Sequence, residues 1–392
     1  MAKAKPCVMQ IIPRLEGGGA ERTTVDVATA LVSEGWLPLV VSAGGHQVAA
    51  IEAIGAEHIC LPVHSKNPVT IVHNIRRLRH LIDKHQVDLL HVRSRAPAWS
   101  VLRAARRCNI PLVATWHGAV PDGPALKIFY SSALVRGDVV IANSCYTAER
   151  IKIRYPRRIA RLITIHRGTD LAAYDPKKED STRTTRFRQQ WNVGTESMLA
   201  LMPARQSRTK GHDCVIEALA QLDPDYRPVV VFAGGYDWQN AYGIRLKNKA
   251  CDLGVKDAVR FVPHIDDMPG ACWAADIILS PSLQAEAFGR VAVEGQAAGR
   301  PVIVADHGGA RETVINDNEA TATGWRITPG DATTLARALQ EAAAMGPKGR
   351  TIMGQRGRNF VAPRFSLDAM CSATLDVYRS LLHSPRHSSH AT

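Results

Sequence analysis

Two carboxylates eight positions apart, Glu286 and Glu294, frame the string EAFGRVAVE. A strand-like run, Ile277 to Leu279, precedes them and ends at Ser280-Pro281-Ser282. Gly299, Arg300 and Pro301 follow, then a second apolar run, Val302 to Val304. A glycine in the left-handed conformation can end a helix and a proline stops its continuation, so the segment reads strand, loop, short helix, strand. Glu286 then occupies the loop at a strand's carboxyl end, where open α/β sheets bind ligands. Glu294 falls about two turns into the helix. Phe288 and Gly289 put backbone N–H groups at the helix start, which suits an anion. A carboxylate beside an anion site is unfavourable unless a neutral, hydroxyl-rich group lies between them. A sugar nucleotide has that layout: sugar, diphosphate, ribose.

Other strand ends carry further chemistry. In MPARQSRTKGHDCVIEAL, Arg205 and Lys210 follow one strand five positions apart, and Gly211 lets the chain turn into a helix. In IPRLEGGGAERTTVDVATAL a strand meets a triple-glycine turn and a helix. Gly17 and Gly19 fill the first two positions of a dinucleotide fingerprint, but the third falls on Arg22, and no Gly-Lys-Ser/Thr follows. The remaining uses of the loop are close ligand approach or packing alone. His117, in ATWHG, ends another strand and reads as either a structural histidine or a site residue. Arg93, in HVRSRAP, ends a further one.

The string PSLQAEAFGRVAVEGQAAGRPVI resembles the E-x7-E signature of the retaining family 4 glycosyltransferases, which have the two-domain GT-B fold. The resemblance implies that Glu286 contacts the donor sugar and Glu294 holds the ribose hydroxyls. Arg205 and Lys210 match the pair that neutralises the donor diphosphate, where negative charge grows as the glycosidic bond breaks. Ala204 replaces the family's usual glycine before that arginine. Gly18 and Gly19 match a GGxE-type loop facing the donor, and Gly234-Gly235 a loop approaching the nucleotide. His264 and Ile265 match the backbone that contacts the base; by their own residues these positions read equally as β-turns. His117 matches a histidine near the donor sugar. Many relatives carry histidine where Arg93 stands, an acceptor-side position. HRGTDLAAYDP resembles the N-G-V-D segment closing the first domain, with Arg167 in place of Asn. No general base stands out; in such retaining enzymes the leaving phosphate helps to deprotonate the acceptor. Two fixed cations make a metal unnecessary, so no metal and no cofactor is expected beyond the nucleotide diphosphate-sugar co-substrate.

Strand-like and helix-like segments alternate along all 392 residues, as in parallel α/β sheets. The expected architecture is two Rossmann-like domains facing across a cleft: an acceptor-side domain over 1–175 and a nucleotide-sugar domain over 176–364. A crossover helix over 365–382 and a polar, disordered tail over 383–392 complete it. The polar segment Ala172 to Thr185 reads as a boundary or linker. Eight cysteines lie scattered without zinc or redox spacing, as in a reducing cytoplasm. Asp223 and Asp225 form the one Asp-x-Asp spacing weighed as a metal site, and QLDPDYRP reads as a surface turn.

Charge is uneven. Residues 1–170 carry 23 Lys/Arg against 12 Asp/Glu, a net +11 of the chain's +13. Clusters at Arg76 to Arg79, Arg103 to Arg107 and Arg150 to Arg167 fit either a solvated basic face or an anionic partner. No apolar run approaches the ~20 residues needed to span a bilayer. The expected partners are a nucleotide-sugar donor, a lipopolysaccharide-core or other envelope glycan acceptor and an anionic membrane surface, for a cytoplasmic, peripheral enzyme. A nucleotide-sugar 2-epimerase or a sugar-phosphate synthase of the same fold is the alternative. Nucleic acid is a remote one, since no recognition motif or aromatic stacking run occurs.

Overall fold

The computed structural model describes residues 5–234 and 238–383; Gly235 and the tail beyond His383 lie outside the described residues. The chain forms two compact units. One takes the residues up to Gly168 and from Leu367 onward, the other Thr169–Ser366. The first boundary therefore falls seven residues before the expected 175/176, and the second two residues after 364/365.

The first unit holds seven strands: β1 (Cys7–Ile11), β2 (Leu37–Ser42), β3 (Glu57–Cys60), β4 (Leu89–Val92), β5 (Leu112–Trp116), β6 (Val139–Ala142) and β7 (Leu162–Thr164). All pair in parallel, in the order β3-β2-β1-β4-β5-β6-β7. β1, β4, β5 and β6 are buried along their whole length, as expected of unbroken apolar runs covered on both faces. β3 escapes a sequence reading because EHIC is a short edge strand with no apolar run.

The second unit holds β8 (Leu199–Pro203), β9 (Val229–Ala233), β10 (Val259–Val262), β11 (Ile277–Ser280), β12 (Val302–Ala305) and β13 (Gly324–Ile327). These are also parallel, in the order β10-β9-β8-β11-β12-β13. Each unit is thus a doubly wound sheet. Strand order reverses between β1 and β4 in one and between β8 and β11 in the other, and crevices at such switch points receive ligands. The helix expected after Gly211 is His212–Gln221. The segment read as a linker belongs with the second unit. Asp180 caps a helix, Ser181–Gln190, whose Phe187 joins Tyr174 and Trp191 in the apolar core. Asp223 and Asp225 are exposed in a short 3-10 turn.

The C-terminal helix, Leu367–Leu382, is part of the first unit. Met370, Leu375, Val377, Tyr378 and Leu381 pack against Val8, Val27, Leu89 and Val139. A buried polar chain locks it in place. The Tyr378 hydroxyl meets Nδ1 of His91 at 2.5 Å, and Nε2 of His91 meets the Thr115 hydroxyl at 2.7 Å. His91 is fully enclosed, and burial, with Arg93 and His117 nearby, holds its pKa well below the usual range, so the ring is neutral. Replacing Tyr378 by Phe leaves Nδ1 of His91 without a partner, which should cost roughly 1–3 kcal/mol. Urea unfolding of Tyr378→Phe tests this, and an unchanged midpoint would remove the network's structural role.

Candidate active site

In the second unit, the loops after β8, β11 and β12 converge at the switch point. Gly211 has φ +87°, and a Cβ there would lie 2.1 Å from the Pro281 carbonyl oxygen, so glycine alone permits the approach. Leu283 N–H donates to the Thr209 carbonyl at 2.8 Å. These contacts place Nζ of Lys210 2.5 Å from Oε1 of Glu286, and the Ser282 hydroxyl donates to the same oxygen at 2.5 Å. Both cation and carboxylate are half-buried. Arg205 is exposed and, among the described residues, pairs with no carboxylate.

The loop after β12 presses on this arrangement from the other side. A Cβ on Gly308 would lie 2.5 Å from the Glu286 carbonyl oxygen, and one on Gly309 2.5 Å from the Phe288 Cα. Gly309 N–H donates to the Glu286 carbonyl at 2.8 Å, and Nε2 of His307 bonds the Ser282 carbonyl at 2.7 Å. Sequence reading passed over His307, Gly308 and Gly309. The available signal was a Gly-Gly pair just after a strand, the same signal that marked Gly18 and Gly19.

Gly289, at φ +107°, is the N-cap of the helix Arg290–Ala297. Glu294 therefore lies just over one turn into the helix, not two, because the helix begins only after Gly289. It is buried, and Nε and Nη2 of Arg290 both donate to its Oε1, at 3.1 and 2.6 Å. Phe288 is buried against Phe365. Gly234, at φ +122°, leaves room for Ala204, whose carbonyl oxygen would lie 2.8 Å from a Cβ there. His264 and Ile265 follow the end of β10. They line a concavity with Phe187, Trp191 and Asp267.

The first unit places Gly19, Arg167 and His117 together. A Cβ on Gly19 would lie 2.4 Å from Nη1 of Arg167, and Nη2 of Arg167 meets Nδ1 of His117 at 3.4 Å. A guanidinium only donates, so Nδ1 accepts and the proton of the neutral ring sits on Nε2. Burial, Arg167 and Arg93 all hold the His117 pKa well below its ordinary value. Gly18 is the N-cap of the helix Gly19–Ser33. His117 and Arg93 line a pocket of about 160 Å³ with Ile12, Pro13, Glu21 and Arg95.

The profile described as "Glycosyl transferases group 1" matches residues 183–360, and that described as "Glycosyltransferase Family 4" matches residues 17–173. The chain belongs to the family 4 glycosyltransferases. A D-inositol 3-phosphate glycosyltransferase of Xylanimonas cellulosilytica is 30% identical over 290 residues, covering 70% of this chain and 67% of that protein. Two further proteins so named are covered over 54% and 63% of their length, so the chain spans between about half and two thirds of these relatives. A glycosyltransferase structure from Rickettsia africae superposes with a TM-score of 0.88 at 29% identity, over 97% of this chain and 100% of that one. Anabaena Alr3699/HepE in complex with UDP gives 0.81 at 21% identity, over 96% and 100%. The fold is GT-B.

Adding one methyl at Gly309 should displace the Glu286 loop. Gly309→Ala is expected to lower glycosyl transfer by at least ~10-fold, the cost of a misplacement of an ångström or less at a reacting centre. A variant with wild-type turnover would show that the clamp does not position Glu286.

Proposed function

We propose that the protein is a retaining glycosyltransferase that moves one sugar from a nucleotide diphosphate-sugar to a hydroxyl acceptor. The observation that carries this reading is the Lys210–Glu286–Ser282 cluster at the β8/β11 switch point, with Arg205 open beside it. Lys210 and Arg205 stabilise the departing diphosphate, where fixed charge is worth most. Glu286 keeps Oε2 for a hydroxyl of the donor sugar while Oε1 is held by Lys210 and Ser282. Glu294 likewise has both Arg290 bonds on Oε1, which leaves Oε2 for the ribose. Gly234 and the helix start at Phe288 and Gly289 bring backbone close to the nucleotide. The Anabaena protein's complexes with UDP and with UDP-glucose support a nucleotide-sugar donor. The side-chain cations make a divalent metal unnecessary.

The acceptor in this reading is a hydroxyl of lipopolysaccharide core or another envelope glycan, reached at an anionic membrane surface on the cytoplasmic side. No helix among the described residues is long and apolar enough to cross a membrane. Two neighbouring helices, Pro68–His85 and Arg95–Cys108, expose Arg76, Arg77, Arg79, Arg103, Arg106 and Arg107, which supports a basic docking face. Arg150 and Arg154 contribute less to it, since both pair with Asp122. The relatives named for D-inositol 3-phosphate support a second reading, a small soluble phosphorylated acceptor, which the basic pocket around Arg93 favours.

Arg205→Ala or Lys210→Ala should lower turnover by about 100-fold or more, the scale of removing one fixed charge stabiliser. Glu286→Gln should lower turnover with nucleotide affinity retained, and Glu294→Gln should weaken nucleoside diphosphate binding in calorimetry. Equal loss of affinity in both would refute this division. The same transfer assay should keep its rate in EDTA; loss restored by magnesium or manganese would overturn the metal-free mechanism. Co-sedimentation with vesicles should show salt-reversible binding to anionic and not neutral lipid, with ~1 kcal/mol per engaged basic residue. Indifference of the protein to anionic vesicles at low salt would remove the membrane from the proposal.

A further inference from the structure

The most unusual charge in the molecule is Arg93. It follows β4 at the switch point of the first sheet and is only 2% exposed. Its Nε donates to Oε1 of Gln10 at 2.7 Å, a neutral partner, and its enclosed Nη2 has none. Among the described residues no carboxylate forms an ion pair with it. A guanidinium does not shed its proton in proteins, so the charge stays. Burying a charge without a counter-charge is costly, and natural chains pair or ligate such groups. Desolvation accordingly depresses the Arg93 pKa, with partial relief from Tyr378, Cys371 and the carboxylate of Asp26, which forms no ion pair with it.

The surroundings supply what an anion needs. Arg93 lines the open pocket between the ends of β1, β4 and β5, together with Ser94, Arg95 and His117. Ser94 is the N-cap of the fourteen-residue helix Arg95–Cys108 and makes no side-chain cap bond, so the first-turn N–H groups of Arg95 and Ala96 lack a capping acceptor. A helix start of this kind favours negative charge. His117 presents Nε2–H, an enclosed donor without a partner. Glu21 is the one carboxylate of the lining, and it lies in the first turn of the helix Gly19–Ser33, where it complements that helix's own end.

We infer that this pocket is an oxyanion site in which Arg93, Arg95 and the start of the helix Arg95–Cys108 hold a phosphate or carboxylate carried by the acceptor near its reacting hydroxyl. The inference rests on the proposed transfer reaction, with the first unit on the acceptor side, and makes Arg93 a specificity-determining residue. A neutral acceptor would leave the buried guanidinium without an ion-pair partner, so selection against it is built into the pocket.

Calorimetric titration of the full chain tests this. An Arg205→Ala/Lys210→Ala background removes the proposed diphosphate cations of the second unit. In that background inorganic phosphate and glucuronate should still bind, and glucose should not. Adding Arg93→Met should weaken both anions by about 10-fold or more, the value of a charge-assisted hydrogen bond. Arg93→Lys should restore part of the loss, and the exposed Arg95→Ala should weaken binding a few-fold on the scale of a surface charge. Phosphate binding alone, without glucuronate, would assign the site to phosphorylated acceptors; binding of both assigns it to oxyanions generally. UDP titrated into Arg93→Met with Arg205 and Lys210 intact should bind as to wild type, which separates a lost site from a lost fold. No anion binding in the double-variant background, or binding indifferent to both Arg93→Met and Arg95→Ala, overturns the inference. Failure of wild-type protein to bind UDP would sink the donor reading instead.

Discussion

The ion pair between Lys210 and Glu286 is the interaction on which the second unit's site depends. Neither side chain could stay half-buried alone without a large desolvation cost, and together they neutralise one another while remaining accessible. The pair exists because three loops are forced to within van der Waals limits by glycines: Gly211 against Pro281, Gly308 against Glu286 and Gly309 against Phe288. Backbone proximity thus brings the two charges within reach, and the ion pair then holds both side chains. In the proposed reaction a donor diphosphate approaching Lys210 would meet a cation already oriented, so little ordering entropy would remain to be lost.

The first unit repeats the geometry with the opposite electrostatic solution. Its switch point also joins a glycine-containing loop after the first central strand to a charged residue after the next, but there Arg93 has Gln10 for a partner where Lys210 has Glu286. One sheet therefore presents an ion pair and the other a buried cation with no ion-pair partner among the described residues. Two sites on the same scaffold can in this way differ in the ligands they accept without any difference in strand order.

Much of this was legible in the residues. Unbroken apolar runs marked β1, β4, β5, β8, β9, β11 and β12, and the loops after them carried Lys210, Glu286 and His117 to strand ends. Less legible were features set by tertiary contact. β3 and β13 lack apolar runs because EHIC and GWRI lie at sheet edges. The depth of Glu294 in its helix depended on Gly289 taking a left-handed conformation, which any glycine can do and few must. The Gly308–Gly309 clamp carries no charge, and its one signal was a Gly-Gly pair after a strand. Arg167 was noted as a substitution for Asn, yet its contact with His117 joins residues 50 apart and no local pattern encodes it.

The placement of Leu367–Leu382 has a consequence for how the molecule is made. Its apolar face closes a core over Val8, Leu89, Val113 and Val139, and Tyr378 completes a hydrogen-bond chain with His91, 287 positions earlier. A ribosome must therefore release the residues through Leu382 before the first unit can finish its own interior, while the second unit is contiguous and can close on its own as it emerges. Chain termini joined across such a span make late, long-range contacts the slow step of assembly. The N-terminal sheet must wait, with Val8, Leu89 and Val139 uncovered, until the last turn of helix has left the exit tunnel.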